Sequence, residues 1–281
     1  MESKLWMAGG PRAPEGLRDL AGRAIRYGDG VFVTLGCENG ILLDARAQLA
    51  RLAGACERVG LPVPTAVASV AALAGVLHAL GADGLVDFVA RVQVSAGPSA
   101  RGYGRASDVE SWELVELSGV PPSRACRVAI AGPEMRLPLP ALPDVKSCSA
   151  LAHVLASRAA SRLGVDELVR TADGLVTEAT AANVFWSSGD VLYTPAASLP
   201  FYAGVTRAVV LQVAPGLGLA VDDGEHAPAS LQAADGVFLT NAARGVEIVT
   251  EIDGTSVGWP ESLARLAAAV ADARQELGER L

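Results

Sequence analysis

The sequence predicts an α+β fold built from two α/β domains, and three observations carry that expectation. A chain of 281 residues, 51% hydrophobic and 19% charged, can bury one large core or two modest ones without staples. Strand-like and helical runs mix without strict βαβ alternation, which favours antiparallel pairing. The paired prolines of "SGVPPSR" exclude helix and stiffen the path. Residues 118–124 therefore read as a linker between a smaller domain, 1–117, and a larger one, 125–281.

In the first half, "GVFVTLG", "CENG" and "ILLDA" read as a hairpin turning at Asn39-Gly40. The helix "DARAQLARLAGACERVG" follows, with Asp44 as its cap and Leu49, Leu52 and Cys56 on one stripe. A second helix is expected from about Thr65 to Leu80, and the runs "LVDFVARVQVSAG" and "SWELVELSG" complete this half as strands. Beyond the linker come the strand "ACRVAIAG", a proline-punctuated loop carrying Lys146, and the helix "SALAHVLASRAASRLG" ending at Gly164. Paired strands then turn at Asp173-Gly174 and Gly189-Asp190. A helix from Thr206, the strands "GVFLTNA" and "GVEIVTEIDG", and an amphipathic helix from about Pro260 finish the chain. No internal repeat is visible.

The net charge of -8, with both signs interspersed, offers no basic face for nucleic acid or for an anionic membrane surface. The longest apolar run, Ala66 to Leu77, falls short of the roughly 20 residues that span a bilayer and reads as a buried helix. The N-terminus lacks the basic start and apolar stretch of a signal peptide, so cytoplasmic residence is the expectation. Cys37, Cys56, Cys126 and Cys148 form no CxxC and are expected reduced in the interior. His78, His153 and His226 lie far apart and match no metal-binding spacing. "GTSVG" matches the nucleophile pattern GxSxG by letter, but no His follows the Ser, so it reads as a hairpin turn. "YGDGVF" and "ARGYGR" have neither P-loop nor dinucleotide spacing, and each alone reads as a turn.

Chemistry concentrates elsewhere. Of 23 basic residues only Lys4 and Lys146 are lysine, so plain positive charge in this chain is arginine. Arginine stays protonated, whereas a lysine amine can be neutral and attack a carbonyl. "YAGVTR" sets a glycine before Thr206 at a helix start, where backbone amides and a hydroxyl converge on an anion; an ordinary Thr N-cap is the simpler alternative. "TEATAANVFW" sets Glu178 in an uncharged stretch, where a carboxylate is costly without a dedicated partner. An imine-forming lysine, such a carboxylate and a phosphate cup are what pyridoxal phosphate requires.

In that order of motifs the chain resembles the class IV, or fold-type IV, pyridoxal-phosphate enzymes: branched-chain and D-amino-acid aminotransferases and 4-amino-4-deoxychorismate lyase. The likeness runs from "RAIRYGDGVF" through "LARL", "VKSCSAL", "GVDELVRTADGLVTEATAANVFW" and "GVTR" to "FLTNAARGVEIVTEIDG". It implies a D-amino-acid-aminotransferase-like fold, a homodimer and a small-molecule substrate. It also implies that Lys146 bonds the cofactor's aldehyde, that Glu178 partners the ring nitrogen, and that Arg51, Val205, Thr206, Asn241 and Ala242 hold the phosphate. Tyr27, Thr34 and Arg101 fall on the substrate side of the resemblance, Arg101 where relatives present a cation to a carboxylate.

For the reaction, "ARGYGR", "TEATAANVFW" and "LTNAA" resemble the lyase, while branched-chain transaminases usually carry "FEG" where this chain has "FVT". The resemblance thus implies the lyase that makes 4-aminobenzoate and pyruvate, with a branched-chain or D-amino-acid transaminase as the alternative. Three positions depart from the family's pattern: Gly22 replaces an Asp before Arg23, Gln48 a frequent His, and Val33 a common Glu or Thr, leaving Thr34 as the nearest hydroxyl.

Overall fold

The computed structural model describes residues 4–7, 10–11, 23–97, 102–105, 110–122, 125–132, 135, 139–140 and 142–281. They form two compact units: Met1–Pro121 with Val145–Ser149 and Leu277–Leu281, and Pro122–Asp144 with Ala150–Glu276. Two stretches of the expected 125–281 domain, one of them carrying Lys146, thus belong to the first unit.

The first unit contains β1 (Lys4–Met7), β2 (Gly10–Pro11), α1 (Arg23–Tyr27), β3 (Gly30–Glu38), β4 (Ile41–Leu42), α2 (Ala45–Val59), α3 (Val70–Ala79), β5 (Phe88–Ala96) and β6 (Ser111–Ser118). Its sheet runs β4-β3-β5-β6-β1-β2 and every pair is antiparallel. β3 and β4 turn at Asn39-Gly40, both at positive φ, as the two-residue hairpin signal requires. Val31, Val33, Leu35 and Cys37 of β3 are buried, while Phe32 and Thr34 on the other face are half-buried.

One helix cap and one helix start differ from the sequence expectation. Asp44 occupies the N-cap of α2 but sits at φ 56° and makes no side-chain cap bond. α3 begins at Val70 rather than near Thr65, because the amides of Thr65 and Val67 donate to the Glu113 carboxylate at 2.8 and 3.2 Å. Ser69 then caps α3 through the Ala72 amide. Cys37, Cys56 and Cys126 are buried and Cys148 only half-buried; all four are free thiols. Burial pushes the thiols of Cys37 and Cys56 up to about 11 and about 12, which leaves them inert.

The segment around Lys146 lies along β3. Ser147 bridges Val31, the Phe32 amide donates to the Lys146 carbonyl at 2.9 Å, and the Cys148 amide donates to the Gly30 carbonyl at 2.8 Å. This approach explains the first glycine of "YGDG": Gly28 has φ 66°, and a Cβ there would stand 2.8 Å from Ser149 Cα. The Asp29 carboxylate next to it joins two arginines. Buried Arg23 donates Nε to Asp29 at 2.6 Å and its other nitrogens to the carbonyls of Gly102, Tyr103 and Gly104 at 3.0, 2.7 and 3.1 Å. Arg105 also pairs with Asp29 and reaches the carbonyls of Val59 and Gly60 at the end of α2. Burial alone would raise the Asp29 carboxyl, but bonds and charge from Arg105 and Arg23 outweigh it and hold it below its ordinary value.

The second unit contains β7 (Cys126–Ile130), α4 (Leu151–Leu163), β8 (Glu167–Val169), β9 (Thr171–Ala172), β10 (Leu175–Val176), β11 (Asn183–Ser188), β12 (Val191–Pro195), α5 (Val205–Val213), β13 (Ala220–Gly224), α6 (Pro228–Gln232), β14 (Gly236–Asn241), β15 (Gly245–Ile252), β16 (Thr255–Ser256) and α7 (Glu261–Glu276). The main sheet runs β13-β12-β11-β14-β15-β7-β8, with β16 paired to β15. Here the antiparallel expectation holds only in part: β12 with β13, β15 with β7, and β7 with β8 are parallel. The chain crosses over between β7 and β8 through α4, and between β12 and β13 through α5, and such helical crossovers return a strand in the same direction. "GTSVG" is a hairpin, as its letters suggest, turning at Asp253-Gly254.

Both faces of this sheet are covered, which is why "NVFW" reads as an unbroken apolar run. Val184 and Trp186 join one cluster with Val128, Val237 and Val249, while Phe185 joins the other with Phe238, Val210 and Leu266 of the α5 and α7 side. Phe185 and Phe238 stack at 5.0 Å, and burying each contributes about 1.5–3 kcal/mol. A last strand, β17 (Glu279–Arg280), pairs with β4 in the first unit. No described helix is long and apolar enough to cross a membrane.

Two outcomes follow from the first unit. Gly28→Ala should lower the urea midpoint, with a cost of about 1–3 kcal/mol from crowding Ser149. Asp29→Asn should cost about 3 kcal/mol by leaving buried Arg23 and half-buried Arg105 without their carboxylate. Because the folded Asp29 value is depressed, its stabilisation is fully present above the ordinary value of 3.8 and is lost as pH falls through the folded value. Denaturation from pH 7 to 3 should therefore show a shallower acid loss in Asp29→Asn than in the parent protein.

Candidate functional site

In the second unit the Glu178 carboxylate is buried and paired. Glu178 is 5% exposed and follows β10, in the turn that leads to β11. Its Oε1 accepts from Arg170 Nη1 at 3.1 Å and lies 3.5 Å from His153 Nε2 of α4, while its Oε2 accepts the Tyr202 amide at 3.3 Å. The costly charge anticipated in "TEATAANVFW" is therefore paired. Arg170, 2% exposed, stands opposite Glu178 because its amide donates to the Glu178 carbonyl and its carbonyl accepts from the Thr177 amide.

The Tyr202 to Gly204 turn leads into α5 and is held from a second side by Asn183, the first residue of β11. Asn183 Nδ2 donates to the Tyr202 carbonyl and Asn183 Oδ1 accepts the Gly204 amide, each at 2.8 Å. A Cβ on Gly204 would meet that Oδ1 at 2.8 Å, so the close approach requires glycine. Gly204, not a threonine, is the N-cap of α5. Thr206 is the second residue of the helix, 2% exposed, and its Oγ1 has no hydrogen-bond partner among the described residues. A buried hydroxyl without a partner, beside the amides of a helix N-terminus, is suited to an anion.

Val205 is buried at the head of α5, and α5 packs on β14, whose last residue is Asn241. Asn241 turns its own Oδ1 back onto the amides of Ala243 and Arg244, at 3.0 and 2.8 Å. The Ala242 carbonyl accepts from Arg274 of α7, itself 3% exposed. The loop after β14 is thus fixed by a local side-chain turn and a buried guanidinium.

In the first unit Lys146 is half-buried, with Nζ 5.2 Å from the centroid of Phe32. Arg91 of β5 stands over the same ring at 4.1 Å. Thr34 shares the Phe32 face, two residues along β3, whereas Val33 is 1% exposed among the core residues. The chain's departure at position 33 is therefore a core position, and Thr34 is the hydroxyl on the Lys146 side of the strand. Tyr27 closes α1; its hydroxyl accepts the Gly102 amide at 3.2 Å and its ring lies 5.5 Å from that of Tyr103. Arg51 lies half-buried on α2, and Arg101 falls outside the described residues.

The sequence reading singles out neither Arg170 nor Asn183, and takes His153 only as a histidine in no metal-binding spacing; no motif marks which carboxylate Arg170 faces. Among the described residues no group of three His, Cys, Asp or Glu side chains could hold a metal ion.

A model of the family described as amino-transferase class IV matches residues 30–252. The D-alanine aminotransferase of Bacillus licheniformis is 29% identical over 250 residues, 85% of this chain and 84% of that protein. The aminodeoxychorismate lyase of Bacillus subtilis is 32% identical over 94 residues, 34% of this chain and 32% of the lyase. A solved structure of a hypothetical aminotransferase from Mycobacterium tuberculosis, in its PLP-bound form, matches with a TM-score of 0.79 at 23% identity, covering 97% of this chain and 100% of that one. The fold is the fold-type IV architecture, and by the match over most of its length the chain belongs to the class IV amino-transferase family.

Proposed function

We propose that this protein is a pyridoxal-phosphate lyase that converts 4-amino-4-deoxychorismate to 4-aminobenzoate and pyruvate. The observation that carries the reading is the segment "TEATAANVFW", whose Glu178 and Asn183 together hold the turn that leads to the unpartnered Thr206 hydroxyl. The residues fit the cofactor: a buried hydroxyl and helix amides suit its phosphate, and a buried carboxylate suits its ring nitrogen. Val205, Thr206, the Asn241-Ala242 loop and Arg51 would hold the phosphate, Glu178 the ring nitrogen, and Lys146 the aldehyde carbon. When bound, pyridoxal phosphate supplies an electron sink.

The chain's own part is proton handling and orientation. Lys146 Nζ takes the proton from the substrate carbon that bears nitrogen, and a proton returned to the departing enolpyruvyl group releases it as pyruvate. Aromatisation of the remaining ring favours the elimination, and no amino acceptor is consumed. The lyase choice is supported by the "RGYGR" stretch, whose Gly102 to Gly104 carbonyls are held by Arg23. Tyr27 and Thr34 belong to the substrate side in this reading. The second reading, a D-amino-acid transaminase, is favoured by the relative from Bacillus licheniformis that matches 85% of the chain. A homodimer is part of the proposal, supported by the exposed apolar side chains Leu151, Val154 and Leu163 on α4.

Purified protein loaded with pyridoxal phosphate should release 4-aminobenzoate and pyruvate in equal amounts from 4-amino-4-deoxychorismate without a keto acid. Keto-acid formation from D-alanine, dependent on an added acceptor and without aminobenzoate, would replace the lyase with the transaminase. Lys146→Ala should lower turnover by at least about 100-fold, the scale of a lost general base. Thr206→Val should weaken cofactor binding by about tenfold, the scale of one hydrogen bond to a charged group, measured by equilibrium dialysis.

A further inference from the structure

A buried ion pair is weak evidence of a stability role, since apolar residues of similar volume often serve as well or better. Arg170 is among the largest fully buried side chains of the protein, and its guanidinium lies on the carboxylate assigned above to the cofactor's ring nitrogen. Glu178 thus carries a permanent counter-charge before any ligand arrives. The charged and titratable side chains that the described residues place against Glu178 are Arg170, from the stretch between β8 and β9, and His153, from α4; the Tyr202 amide completes its shell. Burial pushes the Arg170 guanidinium down from its ordinary value while Glu178 opposes the shift, as expected of a cation held where solvent cannot help it.

We infer that Arg170 is a positioning residue for Glu178: it fixes the carboxylate for the ring nitrogen, and its own charge weakens the grip of the pair on the ring proton. The inference rests on the reading of Glu178 given under the proposed function. The physical reason is that a second cation brought to one carboxylate is opposed by the first, and in a site closed to water that opposition is poorly screened. His153 is more exposed and farther from the oxygen, so its share of the effect is smaller.

The test uses the holoenzyme reconstituted with pyridoxal phosphate carrying 15N in its ring, and reads the ring-nitrogen shift by NMR as pH is varied. Arg170→Gln, which keeps a donor but no charge, should raise the pH midpoint of ring protonation by about one unit, a tenfold gain in proton affinity. Arg170→Lys, which restores a cation, should return it to the parent value. If Arg170→Gln does not fold, Arg170→Met carries the same comparison.

An unchanged midpoint in the uncharged variants, or a Lys variant that behaves like Gln, would overturn the inference and leave Arg170 a packing residue. Disappearance of the difference in a His153→Asn background would overturn it too, by assigning the effect to His153. The underlying reading fails separately: if Glu178→Gln leaves the ring-nitrogen signal unmoved, Glu178 does not face the ring at all.

Discussion

The Glu178 carboxylate is taken out of water, and its polar neighbours come from three separate stretches of chain. Arg170 arrives between β8 and β9, His153 from the third position of α4, and the Tyr202 amide from the approach to α5. Satisfying one charge therefore fixes a helix, a hairpin and the entry to a second helix relative to each other. Asn183 adds a further tie to that entry, so the backbone that precedes Thr206 is held from two sides before a ligand supplies anything. A ligand meeting this turn would not first have to order it.

The first unit solves a different problem. Lys146 sits on five residues that join β3 by backbone hydrogen bonds, far along the chain from the rest of the sheet. The glycine at 28 lets them come close, and Asp29 beside it gathers Arg23 and Arg105. Through those two arginines the Gly102 to Gly104 backbone and the end of α2 are tied to one carboxylate, so the helix bearing Arg51 and the loop next to Arg101 share a support.

Much of this was legible in the letters. Hairpins at Asn39-Gly40, Asp173-Gly174 and Gly189-Asp190 follow from turn chemistry that acts over four residues, and the stripes of α2 and α7 follow from their periodicity. Glu178 was legible as a charge out of place. What failed was decided at long range: Glu113 takes the amides that would have started α3 early, and the pairing of residues 145–149 with β3 moves Lys146 into the first unit. Arg170 was invisible for a related reason, since nothing about an arginine in a strand-like run says which carboxylate it will face.

The membership of Leu277–Leu281 in the first unit has a consequence for how the chain is made. β17 pairs with β4, and the Leu281 amide donates to the Gly40 carbonyl, so one edge of a sheet whose other strands lie between Lys4 and Ser118 is closed by residues 279–281. At ribosomal speeds, on the order of ten to thirty seconds separate the emergence of β6 from that of β17. During that interval β4 presents an unpaired edge, and it is only two residues long. So short an edge is a poor template for a neighbouring chain, which makes the late arrival of its partner tolerable.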